Sequence, residues 1–187
     1  HQYLLNIDEP ILIHTGSRQQ AQTLLPQIKD VLMGRKLKYI FVSHFESDEC
    51  GGLEIILKEF PDARVIASEV TARQLDGFGI AGDVLIKRPE EKMKIGETEF
   101  KFISYPSEMH LWEGLLLLDL ERKILFSSDL MIRFGNSGGE ILENTLEGEL
   151  DRITKEQIPD TEKREKLIGD LKEEDIKFIA TGHGECI

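Results

Sequence analysis

Val42-Ser43-His44-Phe45-Glu46-Ser47-Asp48-Glu49-Cys50-Gly51-Gly52 is the stretch on which the reading of this chain turns. An apolar run, Tyr39 to Val42, leads into it, and the sequence from Leu53 onward reads as helical. Strand, polar loop and helix in that order is how many α/β proteins present ligands at the carboxyl end of a sheet. Within six residues the loop offers one imidazole and three carboxylates, those of His44, Glu46, Asp48 and Glu49. An ordinary turn draws on Gly, Asn, Pro or Ser instead. In an extended segment alternate side chains point the same way, so positions 44, 46 and 48 are expected to converge on one point. The bland alternative is an acidic surface loop after a buried strand, and the loop by itself leaves both readings open.

The rest of the composition narrows the choices. A chain of 187 residues fits a single domain, 1–187, with a core large enough to need no staples. A net charge of −12 gives no electrostatic footprint for nucleic acid or an anionic membrane. No apolar run has the length of a transmembrane helix, and no signal-peptide pattern opens the chain. Two cysteines, Cys50 and Cys186, make no disulfide framework. A reduced, cytoplasmic protein is the expectation. The chain opens on His1 rather than Met, which leaves open its being part of something longer.

In chain order, Gln2 to Asn6 and Ile11 to His14 read as short strands, with Asp8-Glu9-Pro10 as their turn. Leu24, Leu25, Ile28, Val31 and Leu32 recur at helical spacing, which predicts a helix from Arg18 to Met33 stopped by Gly34. Pro26 inside it is a cost. Lys38 to Val42 is the strand that delivers the central loop, Gly51 to Phe60 a helix, Arg64 to Ala67 a strand, and Ser68 the N-cap of a short helix. Strands are then expected at Val84 to Ile86, Met93 to Ile95, Thr98 to Ser104, Leu115 to Leu118 and Lys123 to Phe126, with a hairpin turn at Glu121-Arg122. The unbroken apolar run at 115–118 is expected to be covered on both faces. Asn136 to Gly139 reads as a loop, Glu140 to Glu174 as one or two surface helices, and Lys177 to Ala180 as a last strand.

Several of these strands lead toward a metal-ligand residue type: His44, then His110, Asp129 and His183. With that set of residues, the chain resembles the metallo-β-lactamase superfamily over essentially its whole length. The superfamily's loop usually reads His-x-His-x-Asp-His, followed later by a His, an Asp and a His. Here Glu46 stands in place of the second His, and the His-x-Glu-x-Asp form is similar to the diiron domain of flavodiiron proteins, which reduce dioxygen or nitric oxide. Ile11-Leu12-Ile13-His14-Thr15-Gly16 resembles the superfamily strand that ends in Asp-Thr-Gly, with His14 where Asp is usual. Leu125-Phe126-Ser127-Ser128-Asp129 resembles the strand that carries a bridging carboxylate.

The resemblance implies a four-layer αββα sandwich. It implies one metal held by His44, Glu46 and His110, a second by Asp48 and His183, and Asp129 bridging both. Glu49 stands where the family usually has a His, as a further ligand or turned away. Two iron ions are the implied cofactors, with manganese or zinc as substitutes. The chemistry points the same way independently: exchanging imidazole for carboxylate adds charge and a hard oxygen donor, which favours iron or manganese over zinc. His14 is expected to be a satisfied strand-end histidine, and Cys50 and Cys186 small packed residues.

In flavodiiron proteins a flavin-binding flavodoxin domain follows the last His, whereas this sequence stops at Ile187. The expectation is therefore no flavin in this chain. Its partners are then dioxygen or nitric oxide and a separate electron-donor protein or signalling domain. The function expected is a diiron oxygen- or nitric-oxide-binding protein, a sensor or a partner-fed reductase. The alternative is a metal-dependent hydrolase of glyoxalase II or phosphodiesterase type, in which a Lewis acid activates water without redox change.

Overall fold

The computed structural model describes residues 1–80, 84–107, 112–134 and 141–187. Contacts divide the chain into two compact units, His1–Lys87 with Ile95–Glu97, and Arg88–Lys94 with Thr98–Ile187.

The first unit is built on a five-stranded sheet in the order β1-β2-β3-β4-β5. Strand β1 (Tyr3–Leu5) pairs antiparallel with β2 (Ile11–Ile13). Strands β3 (Tyr39–Phe41), β4 (Arg64–Ala67) and β5 (Val84–Ile86) follow in parallel, with Ile13 opposite Phe41 and Phe41 opposite Ile66. Parallel neighbours need crossovers, and helices supply them. Helix α1 (Arg18–Leu32) opens on a capping box in which the Ser17 hydroxyl accepts from the Gln20 N–H and the Gln20 side chain accepts from the Ser17 N–H. It buries Ala21, Ile28 and Leu32 and runs through Pro26. Helix α4 (Glu69–Gly77) is capped by Ser68, as the sequence leads one to expect. The core of this unit joins Leu12, Ile28, Leu32, Ile40, Val42, Leu53, Ile56 and Val65. Each such side chain contributes about 1.5–3 kcal/mol by leaving water.

Between β3 and β4 the structure departs from expectation. The helix expected over 51–60 is α3 (Leu53–Glu59), but the loop before it holds a further single turn, α2 (Ser47–Cys50), with Gly51-Gly52 as the seam. The extended backbone ends at Glu46 (φ −140°, ψ 163°), so the alternation argument holds for His44 and Glu46 and fails for Asp48. Asp48 and Glu49 lie in the first turn of α2, where carboxylates are favoured.

The second unit carries a sheet in the order β10-β9-β8-β7-β6. Strands β7 (Thr98–Ser107), β8 (Trp112–Asp119) and β9 (Ile124–Ser128) pair antiparallel, β6 (Lys92–Ile95) flanks β7, and β10 (Phe178–Thr181) pairs parallel with β9. The connection from β9 to β10 holds α5 (Leu146–Leu150) and α6 (Thr161–Lys172). Leu115 to Leu118 are all buried, as expected of an unbroken apolar run. Leu116, Leu118, Leu125, Leu150, Leu167 and Leu171 share one core. Strand β7 runs three residues beyond its expected end at Ser104. The loop expected at 136–139 lies outside the described residues. Among the described residues no helix is long and apolar enough to cross a membrane.

Candidate metal centre

In the first unit the site grows from the carboxyl ends of β2 and β3. Backbone pairing continues past both strands, through His14 N–H to the Phe41 carbonyl (2.9 Å) and Val42 N–H to the Ile66 carbonyl (3.0 Å). That pairing carries Ser43 and His44 into the interior, where His44 is 1% exposed. The Nδ1 edge of the His44 ring lies 3.0 Å from Ser43 Oγ. Its Nε2 faces Glu46 Oε2 at 3.2 Å and Glu49 Oε2 at 3.9 Å.

The loop is clamped from below by Thr15-Gly16. The Thr15 N–H donates to the Glu49 carbonyl (2.8 Å) and the Gly52 N–H to the Gly16 carbonyl (2.8 Å). The seam tolerates only glycine at 52, because a Cβ there would lie 2.2 Å from Ala21 Cβ and 2.9 Å from the Thr15 carbonyl oxygen. In the sequence Thr15-Gly16 shows as the end of a strand resembling the superfamily's Asp-Thr-Gly segment, and nothing there signals its part in holding the ligand loop. Cys50 is buried beside these carboxylates. Burial, and then the charges of Glu49, Asp48 and Glu46, push its thiol up to about 12, while a hydrogen bond to the Glu46 backbone pulls the other way. A thiol held protonated near neutral pH is a poor nucleophile.

In the second unit the parallel pair β9–β10 sets two residue types side by side that are far apart in sequence. Thr181 stands opposite Ser128 after a bulge, and the Gly182 N–H donates to the Ser128 carbonyl at 2.7 Å. Asp129 and His183 follow at once, with His183 Nε2 3.5 Å from Asp129 Oδ1. A Cβ on Gly182 would meet the Ser128 carbonyl oxygen at 2.6 Å and Asp129 Oδ1 at 3.0 Å, so glycine is what lets the two strand ends approach. A buried group absent from the sequence reading backs this loop. The Arg133 N–H donates to the His183 carbonyl (3.1 Å), its guanidinium pairs with Glu149, and Asn144 donates to the same carboxylate. Glu149 is fully buried. It sits in a charge-mixed stretch whose pattern gives no hint of an inward-facing acid.

The structure thus brings His44, Glu46 and Glu49 together in one unit, and Asp129 and His183 together in the other. Asp48 lies half-buried on the first turn of α2. His110 lies outside the described residues. These donors suit a metal ion on chemical grounds. Two donors each about 2.1 Å from one ion sit about 3.0–3.4 Å apart, and the spacings of 3.2, 3.5 and 3.9 Å lie within that range or just above it. Two carboxylates within 4 Å of one ring nitrogen also repel each other, and a cation relieves that repulsion.

Comparison with known proteins supplies the family. A model of the family described as ODP family beta lactamase matches residues 1–184. The chain belongs to the ODP family. Over 195 residues this ODP family chain is 26% identical to a putative diflavin flavoprotein A 2 of a Nostoc species, covering 99% of the chain and 33% of the relative. It is 30% identical over 152 residues to a coenzyme F420H2 oxidase of Methanocaldococcus jannaschii, covering 79% of the chain and 33% of that protein. The crystal structure of a flavoprotein from Thermotoga maritima superposes with a TM-score of 0.80 at 26% identity, over 99% of the chain and 48% of that structure. The ODP family chain therefore spans between a third and a half of the length of these three. Its fold is the metallo-β-lactamase-like one of flavodiiron proteins, assembled from two sheets with their helices.

Proposed function

We propose that this ODP family chain is a binuclear iron protein that binds dioxygen or nitric oxide, as a sensor or as a reductase supplied with electrons by a separate protein. In this reading His44, Glu46 and His110 hold one iron, Asp48 and His183 the second, Asp129 bridges them, and Glu49 adds its carboxylate to the second. The observation that carries it is Glu46 Oε2 at 3.2 Å from His44 Nε2. A carboxylate at that point, with Asp48, Glu49 and Asp129 supplying more, gives a hard, anionic donor set suited to iron or manganese rather than zinc. When bound, a ferrous pair supplies electrons and open coordination positions for a diatomic gas.

The chain's own residues set the conditions. His44 is held in the interior by pairing of the strand end, so its ring cannot swing away to solvent. The Thr15-Gly16 clamp fixes where α2 begins and so where Asp48 and Glu49 point from. Gly182 allows Asp129 and His183 to approach. Similarity to an F420H2 oxidase and to flavoproteins supports an oxidoreductase role, with the electron donor left to another protein or domain.

The test is elemental analysis of the chain after expression in iron-replete medium, followed by reconstitution with ferrous iron under argon. About two irons per chain, with an absorbance change on admitting air or nitric oxide, is the expected result. Zinc alone in both preparations would overturn the reading.

A further inference from the structure

Ser43 Oγ lies between two buried imidazoles, 2.9 Å from His14 Nε2 and 3.0 Å from His44 Nδ1. His14, Ser43 and His44 are 3%, 0% and 1% exposed, so the contacts are made away from bulk water. A hydroxyl has one hydrogen to give and two lone pairs to accept with, so each contact must have a direction. The direction follows from the far edge of the His44 ring. Its Nε2 faces Glu46 and Glu49 and is the nitrogen a metal would take. A ring nitrogen that ligates is unprotonated, so the proton of a neutral imidazole sits on the other one. Nδ1–H of His44 then donates to Ser43 Oγ, and His14 Nε2, 2.9 Å away, is an acceptor within reach of the Ser43 hydroxyl hydrogen. Used in that way, His14 carries its proton on Nδ1.

The backbone supports a specific role for His14. It holds φ +61°, a left-handed conformation that costs a non-glycine residue about 1–3 kcal/mol. Its N–H is tied to the Phe41 carbonyl, and its ring lies against the Phe41 ring at 6.3 Å between centroids and 20° between planes. A strained residue fixed on both sides presents one nitrogen to Ser43 in a set orientation.

We propose that Ser43 and His14 are positioning residues, a directed hydrogen-bond chain from His44 through Ser43 to His14 that fixes the tautomer and ring plane in which His44 offers Nε2 to metal. The proposal rests on His44 being a ligand, and is indifferent to whether iron is the native metal. Its test therefore uses zinc, a diamagnetic probe, on the full chain. In the zinc-loaded parent, two-bond 15N–1H spectra should show His14 protonated at Nδ1 and unprotonated at Nε2. Ser43→Ala should move the His14 Nε2 resonance and weaken zinc binding about 10–100-fold, the usual effect of removing a group that orients a ligand. His14→Phe should weaken it similarly, and His14→Gln, whose side-chain carbonyl can accept from Ser43, should recover most of the loss. A His14 protonated at Nε2 in the parent overturns the chain's direction. Parent-like zinc affinity in Ser43→Ala overturns its role. The first of these measurements needs no variant and survives any failure of a variant to fold. A parent that takes up zinc but no iron defeats the diiron reading alone, and one that takes up no zinc defeats the ligand assignment of His44.

Discussion

The backbone N–H of Arg133 donates to the carbonyl oxygen of His183 at 3.1 Å, and the arginine is itself held by the buried carboxylate of Glu149. One proposed ligand is thus tied to an ion pair that makes no claim on metal chemistry. Removing Arg133 leaves the buried Glu149 with only Asn144 and the exposed Arg152 at 3.9 Å, a loss of about 3–5 kcal/mol at most. Arg133→Met is expected to lose up to that much in urea unfolding of the metal-free chain. Arg133→Met combined with Glu149→Leu is expected to recover a substantial part, because neither charge is then left alone. A double variant no better than the single one would mean that the pair is not the source of the loss.

Gly182 gives a sharper handle on the same loop. An alanine methyl would press on the Ser128 carbonyl oxygen at 2.6 Å and on Asp129 Oδ1 at 3.0 Å. Gly182→Ala is expected to cost about 1–3 kcal/mol as an overpacking change and to lower metal content at both positions, since the displaced carboxylate is the proposed bridge. Asp129→Ala should lose both metals outright, whereas a variant that kept two ions per chain would remove Asp129 from the bridging position.

How much of this was readable beforehand depends on the length scale of the signal. Strand β3 and the 115–118 segment of β8 announce themselves because a buried strand is an unbroken apolar run, and all of these residues but Tyr39 are buried. The ligand types of the loop were legible as well. Its shape was not: four residues, Ser47–Cys50, make one helical turn, too few for a 3.6-residue period to appear. Arg133 and Glu149 were illegible for another reason, since their partnership depends on how a long crossover returns to the sheet and leaves no local pattern. His14 reads as a satisfied strand-end histidine, which it is, but nothing in the sequence names Ser43 as what satisfies it.

A pH signature should come from Lys101 on β7. Its amine donates to Glu174 at 2.6 Å and lies 2.8 Å from Glu90, and the hydrogen bonds to these two acids, Glu174 first, raise it above the ordinary lysine value. The charged amine is thus favoured in the folded chain over the unfolded one. Its contribution is whole below the unfolded value of 10.5 and is lost as pH rises from there through the higher folded value. Lys101→Met should cost about 1.5–3 kcal/mol near neutrality. The gap between parent and variant should narrow in unfolding measured above pH 10.5. A gap that stayed constant would show that the lysine acts through its methylene stem alone.

Glu49 is the residue at which the proposed second metal departs from the usual imidazole, and it is 1% exposed. A carboxylate there favours the ferric over the ferrous state. Glu49→His should therefore keep both irons and raise the midpoint potential. The expected rise is on the order of 60–120 mV, one to two tenfold steps in relative affinity for the two oxidation states. Anaerobic spectroelectrochemistry checks the potential, and stopped-flow mixing with air-saturated buffer checks the rate. Matching potentials and rates for variant and parent would make Glu49 a bystander.

The two groups of proposed ligands differ in how they depend on the fold. Asp129 and His183 meet only because β10 returns beside β9, so in an unfolded chain they are far apart. His44, Glu46, Asp48 and Glu49 stay neighbours whether the chain is folded or not. With the proposed ligands, a nascent or denatured chain keeps a short chelating segment with residual affinity for metal. Affinity for the unfolded chain subtracts from the stabilisation a ligand gives the folded one. Metal should therefore raise the melting temperature by less than its affinity for the finished site implies. With the proposed ligands, the same segment would take up an ion before Asp129 and His183 are brought together.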